Sequence, residues 1–193
     1  GTSRSSYSQP IHDGFNRSFK TMLPELKAFV GSLGPEIQSI HCVGHSLGGA
    51  LATICAEWIR SSTKYKPFIY TFGSPRVGLH SFADKCTKEI GTKRIFRAYH
   101  RTDIVPCIPF WPFVHTPNAG RDYLLYSPGS IPMGEYHAMD KYVESVAGKT
   151  WSQLAKERPV KSDASIENWL KRSGSLGFNM TTLEWLNDAL VYV

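Results

Sequence analysis

The chain lacks the features that mark several large function classes. No stretch of its 193 residues stays apolar long enough to cross a bilayer as a helix. Its four cysteines, at 42, 55, 86 and 107, form no C-x-x-C pair, so zinc-binding and thioredoxin-like readings have no footing. A disulfide between Cys86 and Cys107 likewise finds no support in the spacing, and the redox compartment stays open. Lysine and arginine exceed the acids to give a net charge of +6. They are scattered, without a basic run or a recognisable nucleic-acid motif, so no nucleic-acid partner is expected and solubility is the simplest reason for the charge. No internal repeat or low-complexity segment occurs. The first residues carry no leader-like pattern, and a chain that starts at Gly1 without methionine draws no compartment from that. The triplets Asn16-Arg17-Ser18 and Asn179-Met180-Thr181 fit the glycosylation pattern, which is too common to assign a compartment.

What is present fits one globular domain over residues 1–193, at 41% hydrophobic and 20% charged residues. The chain is organised around Ile40-His41-Cys42-Val43-Gly44-His45-Ser46-Leu47-Gly48-Gly49-Ala50-Leu51-Ala52. A short β-branched and apolar run meets G-x-S-x-G and then a small-residue helical pattern, which reads as the strand, sharp turn and helix of a nucleophile elbow. The pattern alone arises by chance; the strand before it and the Ala-rich helix after it give it weight. Such a turn lifts Ser46 out of the sheet as a nucleophile. Gly44 and Gly48 are expected to keep the strained turn free of side-chain clashes. The backbone N–H of Leu47, at the start of the helix, is expected to face a developing oxyanion. Cys42 and Cys55, on this strand and helix, read as small buried hydrophobes.

Around the elbow the chain alternates. Residues 1–10 read as loop. Apolar residues at Phe15, Phe19, Met22, Leu23, Leu26, Phe29 and Val30 predict a helix ending near Gly31 or Gly34, with a kink at Pro24. Residues 68–72 form a second buried strand, residues 81–90 a helix and residues 94–99 a third strand. This βαβ alternation predicts a parallel sheet and an α/β fold. In such sheets the ligand site lies beyond the carboxyl ends of the strands. Asp103 falls just past the third strand, as Ser46 does past the first, although an aspartate opening an Asp-Ile-Val-Pro turn is the plainer alternative. Residues 120–127 read as a further strand, with a hairpin to the residues near Phe113 as one pairing. His137, the last histidine, sits in a loop entering a helix; His115 is its rival for the role of general base.

These motifs carry a family resemblance. Ile11-His12-Asp13-Gly14-Phe15, Gly44-His45-Ser46-Leu47-Gly49, Tyr70-Thr71-Phe72-Gly73-Ser74-Pro75-Arg76-Val77-Gly78 and Thr102-Asp103-Ile104-Val105-Pro106 occur in order. Together they resemble the class 3 lipases, with residues 11–147 as the family core and 148–193 as a helical C-terminal extension. Two short stretches, Phe15-Asn16-Arg17-Ser18-Phe19 and His137-Ala138-Met139-Asp140-Lys141-Tyr142, are closer to bacterial members. The resemblance implies an α/β-hydrolase fold, a mostly parallel sheet with helices on both faces. It implies a triad of Ser46, Asp103 and His137 in that fold's chain order, with His12 and His115 structural and Arg76 a loop-stabilising charge. It implies hydrolysis of carboxylic esters of lipids through an acyl-enzyme, at a membrane or micelle surface, with no cofactor and no metal. The positive charge favours phospholipid over neutral glyceride. Some bacterial members are exported phospholipases held inactive by an immunity protein, so export and an inhibitory partner follow as expectations. The alternatives are a lipase-like module that binds a protein partner, and an acyltransferase.

The family's second oxyanion donor and its lid lie well upstream of the Ile11-His12 motif. Gly1-Thr2 is the one candidate here for that donor, and the interval to Ile11 is short for a lid. The expectation is therefore that N-terminal strands and lid belong to a separate N-terminal segment of the same protein; losing one donor typically costs about 3 kcal/mol of transition-state stabilisation. Phe110, Trp111 and Phe113 either border an acyl-chain groove or are ordinary core. Helical pieces at 151–158, 165–172 and 181–193 either pack on the sheet or face a partner or membrane.

Overall fold

The structure, a computed structural model, describes residues 1–100, 102–109, 122–125 and 135–157. Four parallel strands, β3 (His41–His45), β4 (Phe68–Phe72), β5 (Ile95–His100) and β6 (Asp122–Leu125), form one sheet in that spatial order. Cys42 pairs with Ile69, Ile69 with Ile95, and Ala98 with Tyr123. Helix α2 (Leu47–Ser62) connects β3 to β4, and α3 (His80–Ile90) connects β4 to β5. Two further helices, α4 (Met139–Val146) and α5 (Trp151–Lys156), follow β6. β6 differs from the hairpin pairing: it runs parallel to β5, and parallel neighbours need a long crossover, not a tight turn. The residues near Phe113 lie outside the described residues, as do Phe110, Trp111, His115 and the helices expected at 165–172 and 181–193.

Alternation along the strands sorts side chains to two faces. Cys42, Ile69 and Ile95 point to one core with Ile54 and Ile59 of α2, Phe82 of α3, and Phe15 and Phe19 of α1 (Asp13–Gly31). Phe72, Phe96, Ala98 and Tyr123 point the other way, against Tyr142 of α4 and Trp151 and Leu154 of α5. Helices thus cover both faces. α1 shows why a period near 3.6 was readable: Phe15, Phe19 and Val30 are buried while Met22 and Phe29 remain exposed. It runs on through Pro24 and ends at Gly31, where the backbone N–H of Ser32 donates to carbonyls of the last turn.

The first ten residues are not a plain loop. β1 (Thr2–Arg4) and β2 (Pro10–His12) form an antiparallel hairpin in which Thr2 faces His12. Its anchor lies far away in sequence, which is why local composition missed it. The carboxylate of Glu57, fully buried on α2, accepts from Ser5 Oγ at 2.5 Å and from the backbone N–H groups of Ser6 and Tyr7 at 3.0 and 2.7 Å. Asn16 is 3% exposed and donates Nδ2–H to Ser3 Oγ at 2.7 Å and to the Arg4 carbonyl at 3.0 Å. An amide so enclosed is no glycosylation acceptor in the folded chain; Asn179 lies outside the described residues. All four cysteines are free thiols, so the Cys86–Cys107 bridge is not formed.

Candidate active site

β3 ends at His45 and α2 begins at Leu47, leaving Ser46 alone to make the turn. Its backbone sits at φ 54°, ψ −129°, a region that side-chain-bearing residues rarely occupy and that costs about 1–3 kcal/mol. The turn is held from both sides: Ser46 N–H donates to the Phe72 carbonyl at 3.0 Å, and Gly49 N–H donates to the Ser46 carbonyl at 2.9 Å. A Cβ on Gly44 would overlap the carbonyl of Gly48, and one on Gly49 would lie 2.6 Å from Ser74 Cβ. At Gly48 a Cβ would meet nothing within 4 Å. The expectation for Gly48 is thus corrected. Close approach constrains Gly44 and Gly49, because it is the backbone of Gly48, not its missing side chain, that lies against β3.

The structure brings Ser46, Asp103 and His137 together across three separate elements. His137 Nε2 lies 2.7 Å from Ser46 Oγ, and His137 Nδ1 lies 2.9 Å from Asp103 Oδ2. An ionised Asp103 can only accept, so Nδ1 carries the proton and Nε2 is left to accept the serine O–H. His137 closes the 3-10 turn Glu135–His137 just ahead of α4, while Asp103 follows β5 and precedes the turn Val105–Cys107. Leu47 opens α2, and its N–H has no acceptor within the helix because it belongs to the first turn. The positive end of the helix macrodipole lies at the same place. Thr2 lies in the β1–β2 hairpin, and the Gly1 carbonyl accepts from Asp13 N–H at 3.1 Å. That hairpin is not a strand of the parallel sheet, so Gly1-Thr2 does not match the expected upstream donor.

Four surrounding residues, Tyr142, Val105, Gly73 and His45, have roles that were not foreseen. Tyr142, fully buried, donates its O–H to Asp103 Oδ2 at 2.6 Å and accepts from the backbone N–H of His100 at 3.1 Å. Burial, reinforced by the Asp103 charge, pushes the Tyr142 phenol well above its ordinary value, so it stays a donor. Val105 N–H donates to Asp103 Oδ1 at 2.9 Å, so both oxygens of a carboxylate that is 1% exposed have partners. Gly73, at φ 57°, makes room: a Cβ there would lie 2.8 Å from Asp103 Oδ2 and 2.9 Å from Tyr142 Oη. His45, beside the serine, donates Nε2–H to the His137 carbonyl at 2.6 Å, with the two rings 4.8 Å apart. Burial lowers the His45 pKa, keeping the ring neutral beside the other imidazole. The signal that could have found Tyr142 is an accounting one: a buried carboxylate with one histidine needs further donors, and a tyrosine follows His137 five positions on.

A parallel sheet with a serine on a strained elbow past one strand and a buried aspartate past another, joined by a histidine from the turn ahead of α4, defines an α/β-hydrolase with a serine-centred site. More particularly, the chain belongs to the class 3 lipases. The model of that family, Lipase (class 3), matches residues 2–113. The chain is 37% identical over 102 residues to the secreted mono- and diacylglycerol lipase 1 of Fusarium solani, covering 51% of this chain and 29% of that protein. It is 32% identical over 158 residues to the phospholipase A1-II 1 of Oryza sativa subsp. indica, covering 76% and 39%. Among solved structures, the mono- and diacylglycerol lipase from Aspergillus oryzae matches with a TM-score of 0.54 and 27% identity, over 65% of this chain and 46% of that one. The chain thus spans less than half the length of each of these relatives.

Proposed function

We propose that the protein hydrolyses carboxylic esters of lipids through an acyl-enzyme on Ser46. The observation that carries this reading is the unbroken hydrogen-bonded line from Ser46 Oγ through the His137 ring to Asp103 Oδ2, at 2.7 and 2.9 Å. Ser46 Oγ attacks the ester carbonyl carbon as His137 Nε2 takes the hydroxyl proton. The carbonyl oxygen, now negative, faces the Leu47 N–H at the positive end of α2. Collapse expels the alcohol, which receives the proton from His137, and water then enters by the same route to release the fatty acid and free Ser46. Asp103 keeps its charge throughout and stabilises the imidazolium, itself held by Tyr142 and Val105. The net charge of +6 supports an anionic phospholipid surface as the working substrate, and the secreted relative supports action outside the cell.

The test is labelling of the folded chain with a fluorophosphonate ester, followed by peptide mapping. An adduct on Ser46 that is lost in His137→Ala is the expected result. A folded sample that stays unlabelled, or labelling that survives loss of His137, would overturn the assignment.

A further inference from the structure

Two thiols meet beneath the elbow. Cys42 lies four positions before Ser46 on β3, and Cys55 lies nine positions after it on α2. A strand advances about 3.3 Å per residue and a helix about 1.5 Å, and α2 doubles back along β3, so both cysteines sit about 13 Å below the serine, level with each other. They also face each other. Cys42 points into the core between β3 and α2, and Cys55 packs against that same cluster. The contact is direct, for Cys42 Sγ–H donates a hydrogen bond to Cys55 Sγ.

The two thiols are not equivalent. Cys42 is 8% exposed, and the hydrogen bond it donates, reinforced by burial, pushes its pKa well up. Cys55 is only partly buried, and accepting that bond pulls its pKa down against the opposing effect of burial. Leu47, Leu51 and Cys55 form an i, i+4 row of partly buried side chains on α2, and β3 is an outer strand of the four-stranded sheet. The pair therefore lies at the rim of the core, where a small reagent reaches Cys55 first. The thiolate is the reactive form of cysteine, and here a second sulfur already touches the one that ionises more readily. Cys86 shows the contrast: it is fully buried, and burial pushes its thiol well up.

We infer that Cys42 and Cys55 form a modification site, a dithiol that a hydroperoxide converts to a disulfide tying β3 to α2. The Cys55 thiolate attacks the outer oxygen of the peroxide and breaks its O–O bond, leaving a Cys55 sulfenic acid; the departing alkoxide takes up a proton and leaves as the alcohol. The Cys42 sulfur then attacks the Cys55 sulfur. The S–O bond breaks, and hydroxide leaves as water with the Cys42 proton. Two electrons pass from the thiols to the peroxide, and a thiol reductant returns them. The site stands apart from the ester-hydrolysis reading and does not need it.

The experiment treats the reduced full chain, well below its melting temperature, with tert-butyl hydroperoxide, then alkylates the remaining thiols and maps tryptic peptides without reductant. Peptide 28–60, which carries both cysteines and no internal lysine or arginine, should be two hydrogens lighter and take up no alkylating agent. Dithiothreitol should restore both alkylation sites. The bond closes a loop around the elbow, so the thermal midpoint of the oxidised chain should rise by about 5 °C or more. Cys55→Ser should leave Cys42 a free thiol, and Cys42→Ala should stop the reaction at a Cys55 sulfenic acid that dimedone captures. A bridge through Cys86 or Cys107 instead, Cys55 driven to sulfinic acid while Cys42 stays reduced, or thiols that all survive excess peroxide would each overturn the inference. The map of the native chain decides the matter even where a variant fails to fold. Fluorophosphonate labelling reports on the triad separately: if it fails on the native chain while the Cys42–Cys55 bond forms, the hydrolase reading falls and the dithiol site stands.

Discussion

The two faces of the sheet are built from different chemistry. On one, Ile69 and Ile95 meet Ile54, Ile59, Phe15, Phe19 and Phe82 in a buried layer that is mainly aliphatic and phenyl, with Glu57 and Asn16 buried where the hairpin docks. On the other, Tyr70, Phe96, Trp151 and Tyr123 pack ring against ring, with centroids 4.9 Å apart for the stacked Tyr70 and Phe96, and 5.0 Å for Phe96 and Trp151 and 4.7 Å for Tyr123 and Trp151, where the rings are tilted. That second layer ends in Tyr142, whose ring packs 4.6 Å from His100 and whose hydroxyl reaches Asp103. An aliphatic layer contributes free energy without direction. Aromatic side chains with polar tips contribute area and also aim a donor. The first face stabilises the fold; the second positions the acid and, through α4, the histidine. Substitutions should therefore separate into those that change how much protein is folded and those that change what the folded protein does.

The largest separation is expected at the elbow itself. Ser46→Ala should lower ester turnover by about 10⁴-fold or more, the scale seen when a triad nucleophile is removed, while the thermal midpoint stays near that of the native chain. Turnover measured beside a melting curve checks both halves. Residual turnover near the native rate would break the assignment of Ser46. Two positions away the balance reverses. Gly44→Ala drives a methyl group into the Gly48 backbone and should cost more than about 4 kcal/mol, enough to abolish folding of a marginal domain. Gly48→Ala meets open space in the first turn of a helix and should be neutral or stabilise by up to about 1 kcal/mol. Soluble yield and circular dichroism of the pair decide between a steric and a conformational reason for the glycines.

A smaller pair of changes compares the faces directly. Ile69→Ala, on the aliphatic side and 2% exposed, should cost about 2–5 kcal/mol of stability and leave kcat of the folded fraction unchanged. Tyr142→Phe removes one oxygen, leaving Asp103 Oδ2 with one donor fewer and the His100 N–H without its acceptor. The expected cost is about 1–3 kcal/mol, together with a fall of roughly tenfold in kcat, about 1.4 kcal/mol of barrier, at unchanged KM. Denaturant melts and steady-state kinetics on the same preparations check the contrast. If Tyr142→Phe lowered stability alone, the aromatic face would be scaffold only.

Much of this division was legible in the residues. The elbow announces itself because a strand, a strained serine and a helix impose glycines at fixed spacing. The α/β class follows from apolar strands alternating with amphipathic helices. Asp103 and His137 stood out because they follow Ser46 in the α/β-hydrolase order, at a strand end and a helix start. The rest depended on contacts remote in sequence. Nothing near Ser5, Ser6 or Tyr7 says that a glutamate fifty positions on will hold their turn. Nothing near Asp122 says that β6 lies parallel to β5. Tyr142 carried no local signal of its role, because its hydroxyl matters only once Asp103 is buried beside it.

The faintest contrast between the faces lies in their response to acid. His12, whose ring packs 4.5 Å from Phe15 at the start of α1, belongs to the aliphatic side, and His45, against Tyr142 and His137, to the aromatic side. Burial is the main cause that lowers both pKa values below the ordinary 6.5. The unfolded chain therefore binds protons in a range where the folded chain resists them, and stability falls as pH drops below about 6.5 toward the lowered values. Above that pH neither group contributes a slope. His45→Gln keeps an N–H able to reach the His137 carbonyl but cannot titrate, so it should flatten the decline of the thermal midpoint below about pH 6.5. His12→Gln should do the same for its own share. A larger flattening from His45→Gln would show that acid loosens the aromatic layer first. A larger flattening from His12→Gln would place the weak point at the start of α1 and remove acid sensitivity from the differences between the two faces.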